Sequence, residues 1–271
     1  MDMAISGLRA LVTGGSRGIG FAIVSALAEE GVDVTFCGRD AAVGERSAAT
    51  LGAAGFRASF LAADVESDPG VDALAEQVLA DGPIDILVNN VGGTHDPDAG
   101  MRPFTAIPPG DWTLTFAKCV FSAVRLIDRI VPAMRRKAWG RVINISSIAG
   151  LEPAHAPADY AAAKAAMNTM TVSLAQSLSR TGVTANVVSP GPILTDALAA
   201  YIDVTARARG WAERGAALEA RFIAELMPIK TTRLGRPADI GAAVAYLASP
   251  RADYITGAHL RIDGGLSAAA I

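Results

Sequence analysis

The feature that most limits the fold is an alternation that runs along nearly the whole chain. Short runs of β-branched and apolar residues, at 8–13, 32–37, 56–62, 84–89, 141–146, 183–189 and 258–262, are separated by longer stretches of helical pattern at 18–30, 41–54, 70–80, 111–137, 157–180 and 237–248. Apolar strands joined through helices are too far apart in sequence to make hairpins, and they read as a parallel sheet covered on both faces. Gly31 and Gly55 stand where left-handed helix C-caps are needed. Asp40 and Asp111 stand as N-caps of the helices after them, and Pro237 takes a favoured first-turn position. The stretch 92–110 is rich in Pro and Gly and reads as an irregular loop, while 193–232 reads as a mostly helical insertion. The 271 residues, 51% of them apolar and without repeat or linker, are expected to form a single doubly wound parallel sheet of Rossmann type, with helices on both faces.

Charge and composition exclude several classes. With 24 basic and 27 acidic side chains and no basic run, nothing favours nucleic acid as a partner. The first residues run directly into the first strand, so no cleavable leader is expected. No apolar stretch approaches the roughly 20 residues needed to span a bilayer. Cys37 and Cys119 lack a CxxC spacing, and His95, His155 and His259 are scattered without metal-ligand spacing. A cytoplasmic protein with no metal and no membrane partner is expected.

Between the first strand and the first helix stands Thr13-Gly14-Gly15-Ser16-Arg17-Gly18-Ile19-Gly20. Glycines there permit a tight turn and close approach of backbone to a pyrophosphate, and the helix start offers free N–H groups. The second strand ends Cys37-Gly38-Arg39-Asp40. A site for NAD(H) normally places a carboxylate at that strand end for the adenosine ribose, whereas a site for NADP(H) offers arginine to the 2′-phosphate. Arg39 and Arg17 therefore point to NADP(H) rather than NAD(H). The alternative leaves both arginines solvated and gives the ribose to Asp40, which otherwise serves as a helix cap.

Further along the chain stand Asp64-Val65, Asn89-Asn90-Val91-Gly92, Ser147, Tyr160 with Lys164, and Pro190-Gly191-Pro192-Ile193-Leu194-Thr195. In that order and spacing, and with the glycine loop before them, they resemble the short-chain dehydrogenase/reductase family over nearly the whole chain. The glycine loop matches that family's TGxxxGxG, Asp64-Val65 the adenine-contacting pair, and Asn89 to Gly92 the NNAG motif with valine for alanine. Ser147, Tyr160 and Lys164 match the catalytic serine and YxxxK, and Pro190 to Thr195 match the segment that holds the nicotinamide amide. Gly235 to Ile240, and Thr256-Gly257 through Asp263-Gly264-Gly265, match late signatures. The resemblance implies that Gly14, Ser16, Arg17, Gly18, Ile19, Gly20, Arg39, Asp64, Val65, Asn90, Val91, Gly92, Tyr160, Lys164, Pro190, Gly191, Ile193 and Thr195 bind cofactor. It also implies a homotetramer, or a homodimer, with the 111–137 and 157–180 helices at one interface.

The expected chemistry has its own physical basis. Tyr160 and Lys164 are four residues apart and share a helical face. A carbonyl that accepts hydride becomes an alkoxide and needs a proton; a phenol with pKa about 10 serves better once a cation favours its anion. Ser147 would polarise the substrate oxygen. One departure stands out: the family's asparagine seven residues beyond a tryptophan falls, counting from Trp112, on Cys119. A slower proton relay, a backbone carbonyl that serves instead, or a reaction needing less relay are the three consequences open to such a chain.

Substrate contacts are expected from 93–110, 148–158 and the 193–232 insert, which reads as a lid. Tyr201, Trp211, Phe222, Leu226 and Met227 of the insert either cover an apolar ligand or pack internally. Arg207, Arg209, Arg214 and Arg221 face either an acidic ligand or solvent. The expected activity is hydride transfer between NADP(H) and a small-molecule carbonyl or secondary alcohol. 3-Oxoacyl thioester reduction is its main specific form, ahead of ketone and sugar or polyol substrates. A cofactor-binding sensor or scaffold without turnover is the rival.

Overall fold

The computed structural model describes residues 2–94 and 100–269, the His155 side chain excepted; His95 and its neighbours to 99 therefore lie outside it. Strands β1 (Arg9–Thr13), β2 (Asp33–Gly38), β3 (Ala58–Ala62), β4 (Ile86–Asn89), β5 (Gly140–Ile145), β6 (Val183–Pro190) and β7 (His259–Ile262) form one sheet in the order β3-β2-β1-β4-β5-β6-β7. All pairings are parallel, and β1 lies between β2 and β4, with Leu11 opposite both Thr35 and Leu87. The chain order reverses at β1, so a crevice opens beyond the carboxyl ends of β1 and β4, where this architecture holds its ligands.

Successive strand residues feed opposite faces. Val12, Val34 and Phe36 join Ile23 and Leu27 of α1 (Gly18–Glu29) and Ile240 and Val244 of α9 (Pro237–Ala248) in one core. Leu11, Leu87 and Val142 join Leu74 and Val78 of α3 (Asp68–Ala80) and Leu126 and Ile130 of α5 (Ser122–Lys137) in the other. The remaining helices are α2 (Ala41–Ala53), α4 (Pro109–Phe116), α6 (Ala158–Ser177), α7 (Asp196–Arg209) and α8 (Gly215–Leu226). The insert is thus two helices, and they share a small core of their own around Trp211 and Phe222.

Most boundaries fall within two residues of the sequence reading, and Asp40 caps α2 by accepting from Val43 N at 3.0 Å. Three expectations are corrected. Asp111 is not an N-cap: α4 starts at Pro109 after Pro108, because proline suits a first turn, and Asp111 instead binds Arg102 Nη2 at 2.8 Å. The helix expected over 111–137 is also not continuous. It widens into a π turn at Ala117–Phe121, centred on Cys119, before α5 begins. The segment 92–110 is not wholly irregular either, since a short 3₁₀ turn forms at Phe104–Ala106.

A buried polar chain fixes α6 against the sheet. Asn89 Nδ2 donates to Asn144 Oδ1 at 2.8 Å, Asn144 Nδ2 donates to Thr171 Oγ1 at 2.8 Å, and Thr171 Oγ1 donates to the Met167 carbonyl at 2.7 Å. Asn144→Ala would strand the Asn89 amide without water. The variant should lose about 2–3 kcal/mol of stability, read as a lower urea midpoint at unchanged slope; an unchanged midpoint would show that the chain of bonds is dispensable.

Candidate active site

Three adjoining cavities lie along the carboxyl ends of the central strands. The first, about 380 Å³, is walled by Gly14, Ser16, Arg17, Arg39, Asp64, Val65, Asn90, Val91 and Gly92 among others. The glycine loop there is clamped by the end of β4. Thr13 Oγ1 accepts from Asn90 N at 2.9 Å and Val91 N at 3.1 Å, while Asn90 Nδ2 donates to the Thr13 and Gly14 carbonyls at 3.0 and 3.1 Å. Gly20 is required by contact: a Cβ there would stand 2.0 Å from the Gly14 carbonyl oxygen. Among the described residues no side chain caps α1, so its first amides keep their capacity for an anion. Arg17 and Arg39 stand on the wall of this cavity, as a 2′-phosphate site needs, and Arg39 Nη1 lies 3.3 Å from Glu66 Oε1.

The second cavity, about 240 Å³, shares Asn90 and Gly92 with the first and adds Ile19, Ser147, Tyr160, Lys164, Pro190 and Gly191. Lys164 is buried; its Nζ donates to the Ile145 carbonyl at 2.7 Å and stands 5.7 Å from the centre of the Tyr160 ring. A Cβ on Gly92 would come within 2.8 Å of that ammonium, so the loop must be glycine for the lysine to lie here. Burial lowers the Lys164 pKa. Burial also pushes the Tyr160 phenol up to about 12, against the hydrogen bond from Ser147, which favours ionisation. The Ser147 hydroxyl also accepts from Ala149 N at 3.2 Å. Asp159, beside the tyrosine, accepts from Thr115 Oγ1 of α4 at 2.6 Å, which ties α4 to α6.

Cys119 is fully buried behind this site, and its thiol donates to the Gly93 carbonyl at 3.3 Å. It packs with Val120 and Ala163, with Tyr160 alongside.

The third cavity, about 280 Å³, meets the second at Ser147, Tyr160 and Gly191. Its other walls are mostly apolar, and include Ile148, Pro192, Met227 and Leu266.

The structure therefore brings together Ser147, Tyr160, Lys164 and most of the expected cofactor residues. Four stay off the cavity walls. Gly18 and Gly20 shape the loop, Ile193 is buried beside Gly235, and Thr195 caps α7 by accepting from Leu198 N at 3.4 Å. Of the insert's aromatic and apolar residues, Met227 reaches the third cavity, while Trp211 and Phe222 pack internally and Tyr201 lies exposed against Phe222. Arg221 pairs with Glu213 and Glu225, Arg209 with Glu225, and Arg214 donates to nearby carbonyls. Sequence reasoning covered Glu152 only as part of the nominated 148–158 stretch, and it missed Glu66, Lys118 and Leu266. Lys118 lines the first cavity and donates to the Thr94 carbonyl at 3.1 Å.

Residues 14–267 match the family model described as Enoyl-(Acyl carrier protein) reductase. Among curated proteins, Nodulation protein G of Azospirillum brasilense is 38% identical over 95% of this chain and 97% of its own. The 3-oxoacyl-(acyl-carrier-protein) reductase of Vibrio cholerae is 36% identical over 97% of this chain and 99% of its own. Among solved structures, L-sorbose reductase from Gluconobacter frateurii, complexed with NADPH and L-sorbose, superposes with a TM-score of 0.90 at 30% identity, covering 99% of this chain and 100% of that one. The Pseudomonas aeruginosa RhlG/NADP complex gives 0.83 at 32% identity, with 98% of each chain covered. With glycine loop, Ser147, Tyr160 and Lys164 assembled as that likeness requires, the chain belongs to the short-chain dehydrogenase/reductase family and is an oxidoreductase.

Proposed function

We propose that this protein is an NADP(H)-dependent reductase of carbonyl compounds, reversible toward secondary alcohols. The observation that carries this reading is the meeting of the second and third cavities at Ser147 and Tyr160. The residues fit the cofactor: the cradle around Gly14, Ser16 and Arg17 suits a pyrophosphate, Arg39 a 2′-phosphate, Asp64 and Val65 an adenine, and the second cavity a nicotinamide nucleoside. NADPH, when bound, supplies the hydride. Ser147 holds the substrate oxygen by a hydrogen bond, and Tyr160 delivers the proton that the reduced carbon's oxygen needs. Lys164 orients the cofactor ribose and, as a cation beside the phenol, eases loss of that proton. A cysteine at 119 leaves the relay open to a backbone carbonyl, and the π turn supports that choice, because such a turn releases carbonyls from the regular helix ladder.

A 3-oxoacyl thioester is the more specific reading, favoured by the apolar third cavity and by the named activity of the Vibrio cholerae relative. A sensor without turnover is disfavoured, since all three catalytic side chains are present and converge. Both cysteines are free and buried, in keeping with a cytoplasmic location, and no helix among the described residues is long and apolar enough to cross a membrane. The same reading makes α4, α5 and α6 the faces of a homotetramer, since Leu114, Phe121, Val124 and Val172 lie exposed.

Tyr160→Phe should lower kcat for ketone reduction by about a thousandfold while NADPH still binds. Because burial holds the phenol protonated, wild-type reduction should be flat from about pH 6 to about pH 9, below the ordinary tyrosine pKa of about 10. Alcohol oxidation, which needs the phenolate, should rise with pH. A retained rate in the variant would remove Tyr160 from the mechanism. Arg39→Ala should weaken NADPH at least about tenfold and leave NADH nearly unaffected, by fluorescence titration; equal losses would mean that Arg39 does not read the phosphate. Light scattering should give the mass of four chains, and Phe121→Glu with Val124→Glu should reduce it; a monomeric wild type would overturn the tetramer.

A further inference from the structure

We propose that the third cavity admits a neutral ketone with an apolar body, and that Glu152 is a positioning residue that holds the C-terminal strap as one of its walls. The inference rests on the catalytic reading above and deepens it. Apart from Ser147 and Tyr160, the walls include Ile148, Ala149, Pro157, Pro192, Met227 and Leu266. Among the described residues no basic side chain lines this cavity, and its charged group is the carboxylate of Glu152. A free oxoacid would bring its charge there without a cation among the described residues. A ketose would lose water from several hydroxyls with few partners to replace it, each loss costing about 1–3 kcal/mol. A chain or ring of carbon atoms loses nothing of the kind on entering.

The wall that Leu266 provides is not part of any helix or strand. After β7 the chain turns through Gly264 and Gly265, both with left-handed φ (63° and 73°), and Asp263 accepts from Gly265 N at 3.0 Å and Ser267 N at 2.9 Å. Glu152 Oε1 then accepts from Ser267 Oγ at 2.8 Å, across 115 residues of chain, and from Ala268 N at 2.7 Å. On the other side the Gly264 carbonyl accepts from Lys230 N at 2.6 Å, just beyond α8. Leu266 packs onto the same small core as Met227. The strap thus couples the loop after Ser147 to the end of the helical insert, and Glu152 is the fastening on the catalytic side.

The test is NADPH oxidation with three sets of compounds: neutral alkyl and aryl ketones, 3-oxo acids of matching length, and ketohexoses, each repeated with Tyr160→Phe. Neutral ketones should exceed the other two sets by at least about tenfold in kcat/KM. Glu152→Ala, which removes the bonds to Ser267 and Ala268, should raise KM for neutral ketones about tenfold, with a smaller change in kcat. Glu152→Gln, whose amide oxygen can accept the same two bonds, should restore most of it. Leu266→Ala should reproduce the rise in KM with the fastening intact. Tyr160-dependent turnover that prefers ketohexoses or oxo acids would overturn this inference and leave the catalytic reading standing, as would an unchanged KM in Glu152→Ala. Absence of Tyr160-dependent turnover on any carbonyl compound would overturn both.

Discussion

The structure turns on an ammonium kept out of water. Lys164 sits in the interior with its pKa lowered by burial, and its hydrogen bond to the Ile145 carbonyl is what makes that position tolerable. Such a group must be held to within a fraction of an ångström, so α6 cannot slide along the sheet. Two polar ties to the sheet prevent it, Ser146 Oγ to the Lys164 carbonyl and Asn144 to Thr171, and Thr115 to Asp159 adds one to α4. Each is buried, where a hydrogen bond cannot be exchanged for water and its loss carries the full desolvation cost. Gly92 and Cys119 complete the enclosure from the β4 side.

Much of this was legible in the chain itself, because its strands and helices announce themselves by period and its candidate catalytic residues by spacing. Tyr160 and Lys164 share a face by helical geometry alone, and the glycine loop lies between a strand and a helix in any reading of 8–30. What escaped was whatever depends on partners far along the chain. Asp111 looked like a cap because capping is a local preference, but Pro108 and Pro109 start the helix earlier and Arg102 claims the carboxylate. The π turn at Cys119 leaves no periodic signature. Glu152 and Leu266 acquire their meaning only when the end of the chain returns to the loop after Ser147.

The cofactor end shows the same contrast. Arg39 was recognisable as the residue that replaces an acidic ribose binder, but not its neighbour Glu66, which approaches it from beyond β3. Arg39 is 66% exposed, so the pair is screened by solvent and salt and adds little to stability. Arg39 thus already has a carboxylate beside it, whereas Arg17, on the wall of the same cavity, has no such claim among the contacts described.

Catalysis and selection are also built on separate cores. The glycine loop leads into α1, which packs in one of the two large cores, while Tyr160 packs in a small cluster with Cys119, Val120 and Ala163. Met227 and Leu266 belong to the small cluster around Trp211 and Phe222, reached through the segments after β6 and β7. Packing changes propagate readily within a close-packed core and poorly across its boundary. The walls of the third cavity can therefore be reshaped by substitutions in the insert or the strap without moving Tyr160 relative to Lys164. That division leaves Met227 and Leu266, two walls of the third cavity, on a cluster apart from the one that holds Tyr160.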